Sequence, residues 1–149
     1  MEMMNNGKLQ AIWIKRMKLG HMDATDSATL MAGKGIVGNA NQGGKRQVTI
    51  IEQEIWDELM QGLGAQLAPS VRRANLMTQG ISLANSRGRV LRVGACRIQV
   101  YGETRPCERM DEALEGLRDA LCAHWGGGAY GEILDDGQIA IGDEVCWQE

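Results

Sequence analysis

Twenty of the 149 residues are glycine, against a usual share of about 7%, and that density commits the chain to many turns and close backbone approaches. Between the glycines lie short runs with strand character. Residues 9–14, 46–51, 75–78, and the pair 89–93 and 95–102 across Gly94 carry most of the β-branched residues. Residues 129–134 and 138–141 flank Asp135-Asp136-Gly137, a strong hairpin signal, and 144–147 reads as a closing strand. Two stretches have helical spacing instead. Ile51, Ile55, Leu59, Met60 and Leu63 predict a helix over 52–62, stopped by Gly62 and Gly64. Met110, Ala113, Leu114, Leu117 and Leu121 predict a second, with Asp111 near its start. About seven strands and two helices that do not alternate predict a mainly β domain, a closed or partly closed barrel rather than a doubly wound sheet. The length suits one domain, 1–149. Residues 20–45 read as a single long connection whose only apolar cluster is Leu30-Met31 with Ile36-Val37, and so long a connection is usually functional.

Composition narrows the function classes. The net charge of −3 argues against a nucleic-acid partner, which calls for a basic surface. Basic residues still cluster locally at Lys45-Arg46, Arg72-Arg73, and Arg105 with Arg109, enough to gather around one small anion. The N-terminus lacks an apolar segment and no run approaches 18 apolar residues, so the expectation is a cytoplasmic protein with no membrane partner. Cysteines 96, 107, 122 and 146 contain no C-x-x-C pair, which in a reducing compartment predicts free thiols.

Several motifs lose their apparent meaning in context. Gly33-x-Gly35-x-x-Gly38 matches the dinucleotide fingerprint by letter, but Asn39-Ala40-Asn41-Gln42-Gly43-Gly44 is a poor helix start. The Gly38–Lys45 stretch has the wrong spacing for a P-loop, and Arg46 stands where a Mg²⁺-binding Ser or Thr belongs. Cys122-x-His124 supplies two ligand types without a second pair, short of a structural zinc site, and Cys122 reads as a buried small hydrophobe beside a surface histidine. Cys96 shares strand parity with Ile98 and Val100, which predicts core packing. Glu52, Glu54, Asp57 and Glu58 read as a solvated helix face.

Two places keep chemical content. In Gly43-Gly44-Lys45-Arg46-Gln47, open backbone N–H groups and two cations could meet a phosphate or carboxylate, or form a flexible turn with a solvated Lys-Arg pair. Cys107 lies in Thr104-Arg105-Pro106-Cys107-Glu108-Arg109, between a strand and a helix. Proline favours a sharp exit there, and nearby guanidinium groups stabilise the thiolate, which is both nucleophile and metal ligand. Position alone leaves an unreactive thiol equally open.

Taken in order, Gly43-Gly44-Lys45-Arg46-Gln47-Val48-Thr49, Arg73-Ala74-Asn75-Leu76 with Gly80-Ile81-Ser82-Leu83, Gly94, Pro106-Cys107 with Gly116-Leu117-Arg118, and Ile139-Ala140-Ile141-Gly142-Asp143-Glu144-Val145 resemble MOSC domains, named for the C-terminal domain of molybdenum-cofactor sulfurase. The resemblance covers residues 30–147 and implies a β-barrel like that of the pyruvate-kinase barrel domain. It implies that Cys107 carries sulfur as a persulfide taken from a pyridoxal-phosphate cysteine desulfurase, or ligates molybdenum as in the amidoxime-reducing relatives. It also implies that Lys45, Arg46, Arg73 and Asn75, with Arg118 as a further candidate, hold the phosphate or pyranopterin of the molybdenum cofactor. Where the family has an acidic and a basic residue after the glycine matching Gly38, this chain has Asn39 and Ala40. Three functions follow as expectations. The chain is a stand-alone sulfur carrier that binds a small anionic ligand and serves a molybdoenzyme, a molybdenum-dependent reductase of N-hydroxylated compounds, or a non-catalytic interaction barrel.

Overall fold

The computed structural model describes residues 6–149. In chain order its elements are strands β1 (Gly7–Lys15), β2 (Met22–Thr25), β3 (Ser27–Met31), β4 (Gly35–Ile36) and β5 (Val48–Glu52), helix α1 (Gln53–Leu63), a 3₁₀ turn (Pro69–Arg72), strands β6 (Leu76–Gln79), β7 (Val90–Val93) and β8 (Cys96–Glu103), helices α2 (Arg109–Ala113) and α3 (Leu117–Leu121), a second 3₁₀ turn (Ala123–Trp125), and strands β9 (Ala129–Ile133), β10 (Gly137–Ala140) and β11 (Glu144–Trp147). Strands β1, β11, β7, β8, β9, β5 and β6 form a closed barrel, because β1 pairs with both β11 and β6. Closure leaves these strands without an open sheet edge.

Alternation fills the interior. Along β8, Cys96, Ile98 and Val100 are fully buried while their neighbours are half-buried, so the parity reading of Cys96 holds. Leu9, Ile12, Val48, Ile50, Leu76, Leu91, Ile133 and Val145 complete the core at 0–1% exposure, each contributing about 1.5–3 kcal/mol of burial. Strand β5 has two working faces. Val48 and Ile50 point inward, whereas Ile51 joins an outer cluster with Trp13, Ala74 and Met77. Thr49 shares the outer parity of Ile51.

Among the described residues the only parallel pairing is β5 with β6, and parallel neighbours need a crossover. Helix α1 supplies it and ends at Gly64 with φ 66°. Its Trp56 and Met60 pack on Met110, Leu117 and Leu121 in a helical layer outside the barrel. Among the described residues no helix is long and apolar enough to cross a membrane.

Four expectations change. Residues 20–45 are not a plain connection: β2 extends the sheet beside β1, while β3 and β4 form a separate three-stranded sheet with β10. The β10 partner of β3 lies more than one hundred residues away, which local composition does not reveal. The Asp135-Asp136-Gly137 signal does not make a hairpin, because β9 pairs with β5 and β8 while β10 pairs with β3. Asp135 instead grips Arg97, and Asp136 accepts from the Ala32 N–H at 2.7 Å. The helix over 110–121 breaks into α2 and α3, because Leu114 turns extended (φ −160°) and Gly116 is left-handed (φ 87°). Both halves still bury their apolar residues in one cluster, so the helical spacing survives the break. Cys122 consequently lies exposed at the end of α3 rather than buried.

Candidate functional site

Four segments converge on the outer side of β5. Arg46, Thr49, Arg72, Arg73, Ala74, Thr104 and Gly127 line a cleft of about 200 Å³, counting its open mouth. Each charged wall residue is delivered by a local feature of the sequence. Gly43 and Gly44 both take positive φ (74° and 70°), a conformation that L side chains resist. Gln47, 1% exposed, fixes that turn by donating Nε2 to the Gly44 carbonyl at 2.8 Å and accepting the Ile133 N–H at 3.1 Å. The double-glycine turn is therefore anchored rather than flexible. Arg46 emerges from it with its guanidinium 5.5 Å from the centre of the Tyr130 ring.

Arg72 closes the first 3₁₀ turn and joins two chain segments. Its Nε donates to the Gly127 carbonyl and its Nη2 to the Thr104 carbonyl, both at 3.1 Å. Gly127 is obligatory at that crossing, since a Cβ there would collide with the Thr104 carbonyl and stand 3.0 Å from Arg72 Nη2. Arg73 follows in the left-handed region (φ 62°), a strained state for a residue with a side chain. Its Nη2 is buried without a hydrogen-bond partner, and so is Oγ1 of Thr104, a residue only 4% exposed. Two buried polar groups of one small cleft thus lack partners within the protein, where such groups are normally satisfied.

The cleft is also electrically uncompensated. Burial first, then the charges of Arg73, Arg46 and Lys18, pull the Lys15 ammonium below its ordinary value. Burial first, then Arg46, does the same to Arg72, while a charge on Cys107 would act in the opposite sense. Among the described residues the ion pairs are Arg16 with Asp23 and Arg97 with Asp135; no carboxylate pairs with a cleft arginine. Cys107 lies three residues beyond Thr104 and is exposed. Pro106 connects it to the cleft, its Cδ 3.3 Å from where a Cβ added to Gly127 would stand.

The other residues singled out in the sequence fall in different places. Lys45 is exposed, with its Nζ 5.6 Å from the Tyr101 ring centre, and is not part of the cleft lining. Asn75 is 5% exposed and engaged on every side: Oδ1 accepts the Thr49 N–H at 3.1 Å, and Nδ2 donates to the Trp13 carbonyl at 3.2 Å and to Asn39 Oδ1 at 3.1 Å. It braces β5 against β1 directly behind the cleft. Asn39 Oδ1 also accepts the Lys15 N–H at 2.9 Å, and its buried Nδ2 lacks a partner. Arg118 is exposed on α3 and apart from the cleft lining. Glu52 and Glu54 do more than solvate a helix face, accepting the Leu83 and Gly80 N–H groups at 3.2 and 2.6 Å. No cluster of three or more potential metal ligands occurs among the described residues.

Two wall residues carry more weight here than their sequence context suggests. Arg72 stands out in the sequence only as half of a basic pair, and Thr104 only as the start of the cysteine segment. Neither signal reveals that the arginine would hold the threonine carbonyl.

Comparison with solved structures gives the same fold. The chain superimposes on the YuaD protein of Bacillus subtilis with a TM-score of 0.77 at 20% identity, covering 94% of each chain. YiiM of Geobacillus stearothermophilus gives a TM-score of 0.74 at 15% identity, over 96% of this chain and 75% of that one. YiiM of Escherichia coli gives 0.70 at 16% identity, over 95% and 70%. No curated protein sequence matches this chain. A family model for the MOSC domain matches residues 32–146, most of the closed barrel and all of the arginine cleft, and the chain therefore belongs to the MOSC domain family.

Proposed function

We propose that this MOSC protein is a sulfur carrier, with Cys107 holding a persulfide beside a cleft that binds a small anionic group. One observation carries the reading: an exposed thiol lies within electrostatic reach of Arg72, in a cleft whose three arginines no carboxylate neutralises and whose two buried polar atoms lack partners. Cations beside a cysteine favour the thiolate, the form that attacks sulfur. The guanidinium fork matches the paired oxygens of an oxyanion. Cys96 is sealed in the core, where burial raises its pKa above the ordinary thiol value, so it does not compete.

Loading from a cysteine desulfurase balances simply. The Cys107 thiolate attacks the terminal sulfur of the donor's persulfide, the donor's S–S bond breaks, and the donor leaves as a thiolate. The reading assigns the protein to a reducing compartment, the cytoplasm, where its thiols stay free.

The molybdenum cofactor implied by the family is tested against the same groups. The unpartnered Arg73 Nη2 and Thr104 Oγ1, with Arg46 and Arg72, suit its phosphate, and Cys107 is a soft donor of the kind that metal prefers. When bound, the cofactor supplies a metal centre that accepts sulfur. The protein's part would be to hold the phosphate in the cleft and keep Cys107 exposed within reach of Arg72's charge.

Incubation with a cysteine desulfurase and cysteine should add about 32 Da, one sulfur atom, to the peptide containing Cys107. Cys107→Ser should remove that addition completely. Sulfur found on Cys122 or Cys146 instead, or on none, overturns the reading. Phosphate binding by the cofactor is checked separately: protein purified from cells that make the cofactor should retain phosphorylated pterin, and Arg73→Gly should lose it.

A further inference from the structure

Resting on the carrier reading, we propose that Cys107 can also take its sulfur directly from a small thiosulfonate-class donor, thiosulfate being the simplest, whose sulfonate oxygens sit in the arginine cleft.

Size points that way first. The space the cleft encloses is about 30 Å³, far below the roughly 300–1,000 Å³ typical of sites for larger organic ligands. It accepts an anion of a few heavy atoms, or the anionic end of something longer. The lining argues the same, since it holds no aromatic residue and Ala74 is its one apolar side chain, which offers little to an apolar body. What the walls offer is donors: the forks of Arg46 and Arg73, the charge of Arg72, and the hydroxyl of Thr104. Arg73 Nη2 and Thr104 Oγ1 are buried and unpartnered, so they call for an acceptor from outside. A tetrahedral oxyanion presents several acceptors around one centre, which suits donors arriving from separate walls.

Position supplies the rest. Arg72 holds the Thr104 carbonyl at 3.1 Å, which ties the chain leading to Cys107 onto the cleft wall. A thiosulfonate seated by its oxygens at the mouth would carry its terminal sulfur outward, toward that exposed thiol. The charges explain the arginines. A thiolate attacking a dianion is opposed by like-charge repulsion, and preorganised guanidinium groups offset it where the reacting charges meet.

The step conserves atoms and electrons. The Cys107 thiolate attacks the terminal sulfur of thiosulfate, and a new S–S bond forms. The sulfur–sulfur bond of the donor breaks, and sulfite departs with the electron pair. Cys107 is left as a persulfide anion, and the total charge is unchanged. No external oxidant or reductant enters.

The experiment uses the purified chain with two donors in parallel, thiosulfate alone and a cysteine desulfurase with cysteine. Sulfite release and peptide mass are both read. The expected result with thiosulfate is one sulfite per persulfide on Cys107, none with Cys107→Ser, and loading slowed about tenfold or more by Arg73→Gly, a substitution compatible with the left-handed backbone there. The desulfurase arm should be less sensitive to Arg73→Gly. If the desulfurase loads Cys107 and thiosulfate does not, the donor proposal falls and the carrier reading stands. If neither donor loads Cys107, both fall. Equal slowing of the two arms by Arg73→Gly would also overturn the donor proposal, because the cleft would then serve the thiol and not the anion.

Discussion

Arg73 and Arg97 are both half-buried, yet they sit in opposite electrical settings. Arg97 is answered in full: its Nε and Nη2 grip the two oxygens of Asp135 at 2.9 and 3.0 Å, and its own N–H meets the same carboxylate. That bond lowers the Asp135 carboxyl and raises the guanidinium together. Arg73 has no carboxylate, a buried Nη2 without a partner, and a strained backbone. Arg97 brings its own counter-charge. The cleft arginines lack one, the arrangement expected where a counter-charge arrives from solution.

The largest effect that would break this contrast comes from Arg72. Arg72→Ala leaves the Thr104 and Gly127 carbonyls without their donor, and stability should fall by about 2 kcal/mol in denaturant titration. Sulfate binding, followed by calorimetry, should be lost with it. Arg73→Gly separates the two properties. Glycine relieves the positive φ and removes a cation from a crowded group, so unfolding should become harder by about 0.5–1 kcal/mol. Sulfate affinity should nevertheless drop about tenfold. A gain in stability with a loss of binding is the signature of a site held under strain for function. A variant that loses both would make Arg73 a structural residue like Arg97.

Much of the barrel was legible because its signals are local. Alternation in 96–100 reveals which side of β8 faces inward, and the helical spacing of Ile51, Ile55, Leu59, Met60 and Leu63 reveals α1. The small sheet of β3, β4 and β10 was hidden, since short strands such as Ser27–Met31 depend on a partner more than one hundred residues away. The cleft was half legible. Lys45-Arg46, Arg72-Arg73 and Cys107 are visible as a basic pair, another basic pair and an odd cysteine. That Arg46 and not Lys45 lines the cleft, and that both Arg72 and Arg73 do, goes with left-handed residues at Gly44 and Arg73, and a sequence does not announce a positive φ on arginine. Thr104 gave no signal, because an unpartnered hydroxyl is a property of packing alone.

The acidic counterpart of the contrast is Glu52. Burial first, with some repulsion from Glu54, raises its carboxyl from 4.5 to about 7, while the Leu83 N–H bond works against the rise. An acid whose pKa is higher in the folded state contributes stability below its unfolded value and loses it as pH climbs through the folded one. The loss here develops between pH 4.5 and about 7, and amounts to roughly 1–2 kcal/mol once solvent screening is allowed for. Glu52→Gln keeps an oxygen for the Leu83 N–H and removes the titration. It should be the more stable protein at pH 8 and equal to the parent near pH 4. A gain that does not vary with pH would mean that repacking, and not charge, is responsible.

The smallest effect is the most diagnostic. Arg97→Ala removes an arginine of the same charge from a partly exposed pair, so its Tm should fall only slightly, as partly exposed pairs contribute little. That small contribution should exist above the ordinary carboxyl range and vanish as pH falls through the lowered Asp135 value. Sulfate affinity should stay at the parent level, because Arg97 already has its counter-charge and the cleft arginines do not. Should Arg97→Ala weaken sulfate as much as Arg73→Gly does, the anion would be sensing overall surface charge rather than a built cleft. The distinction between answered and unanswered arginines would then explain nothing about what this barrel binds.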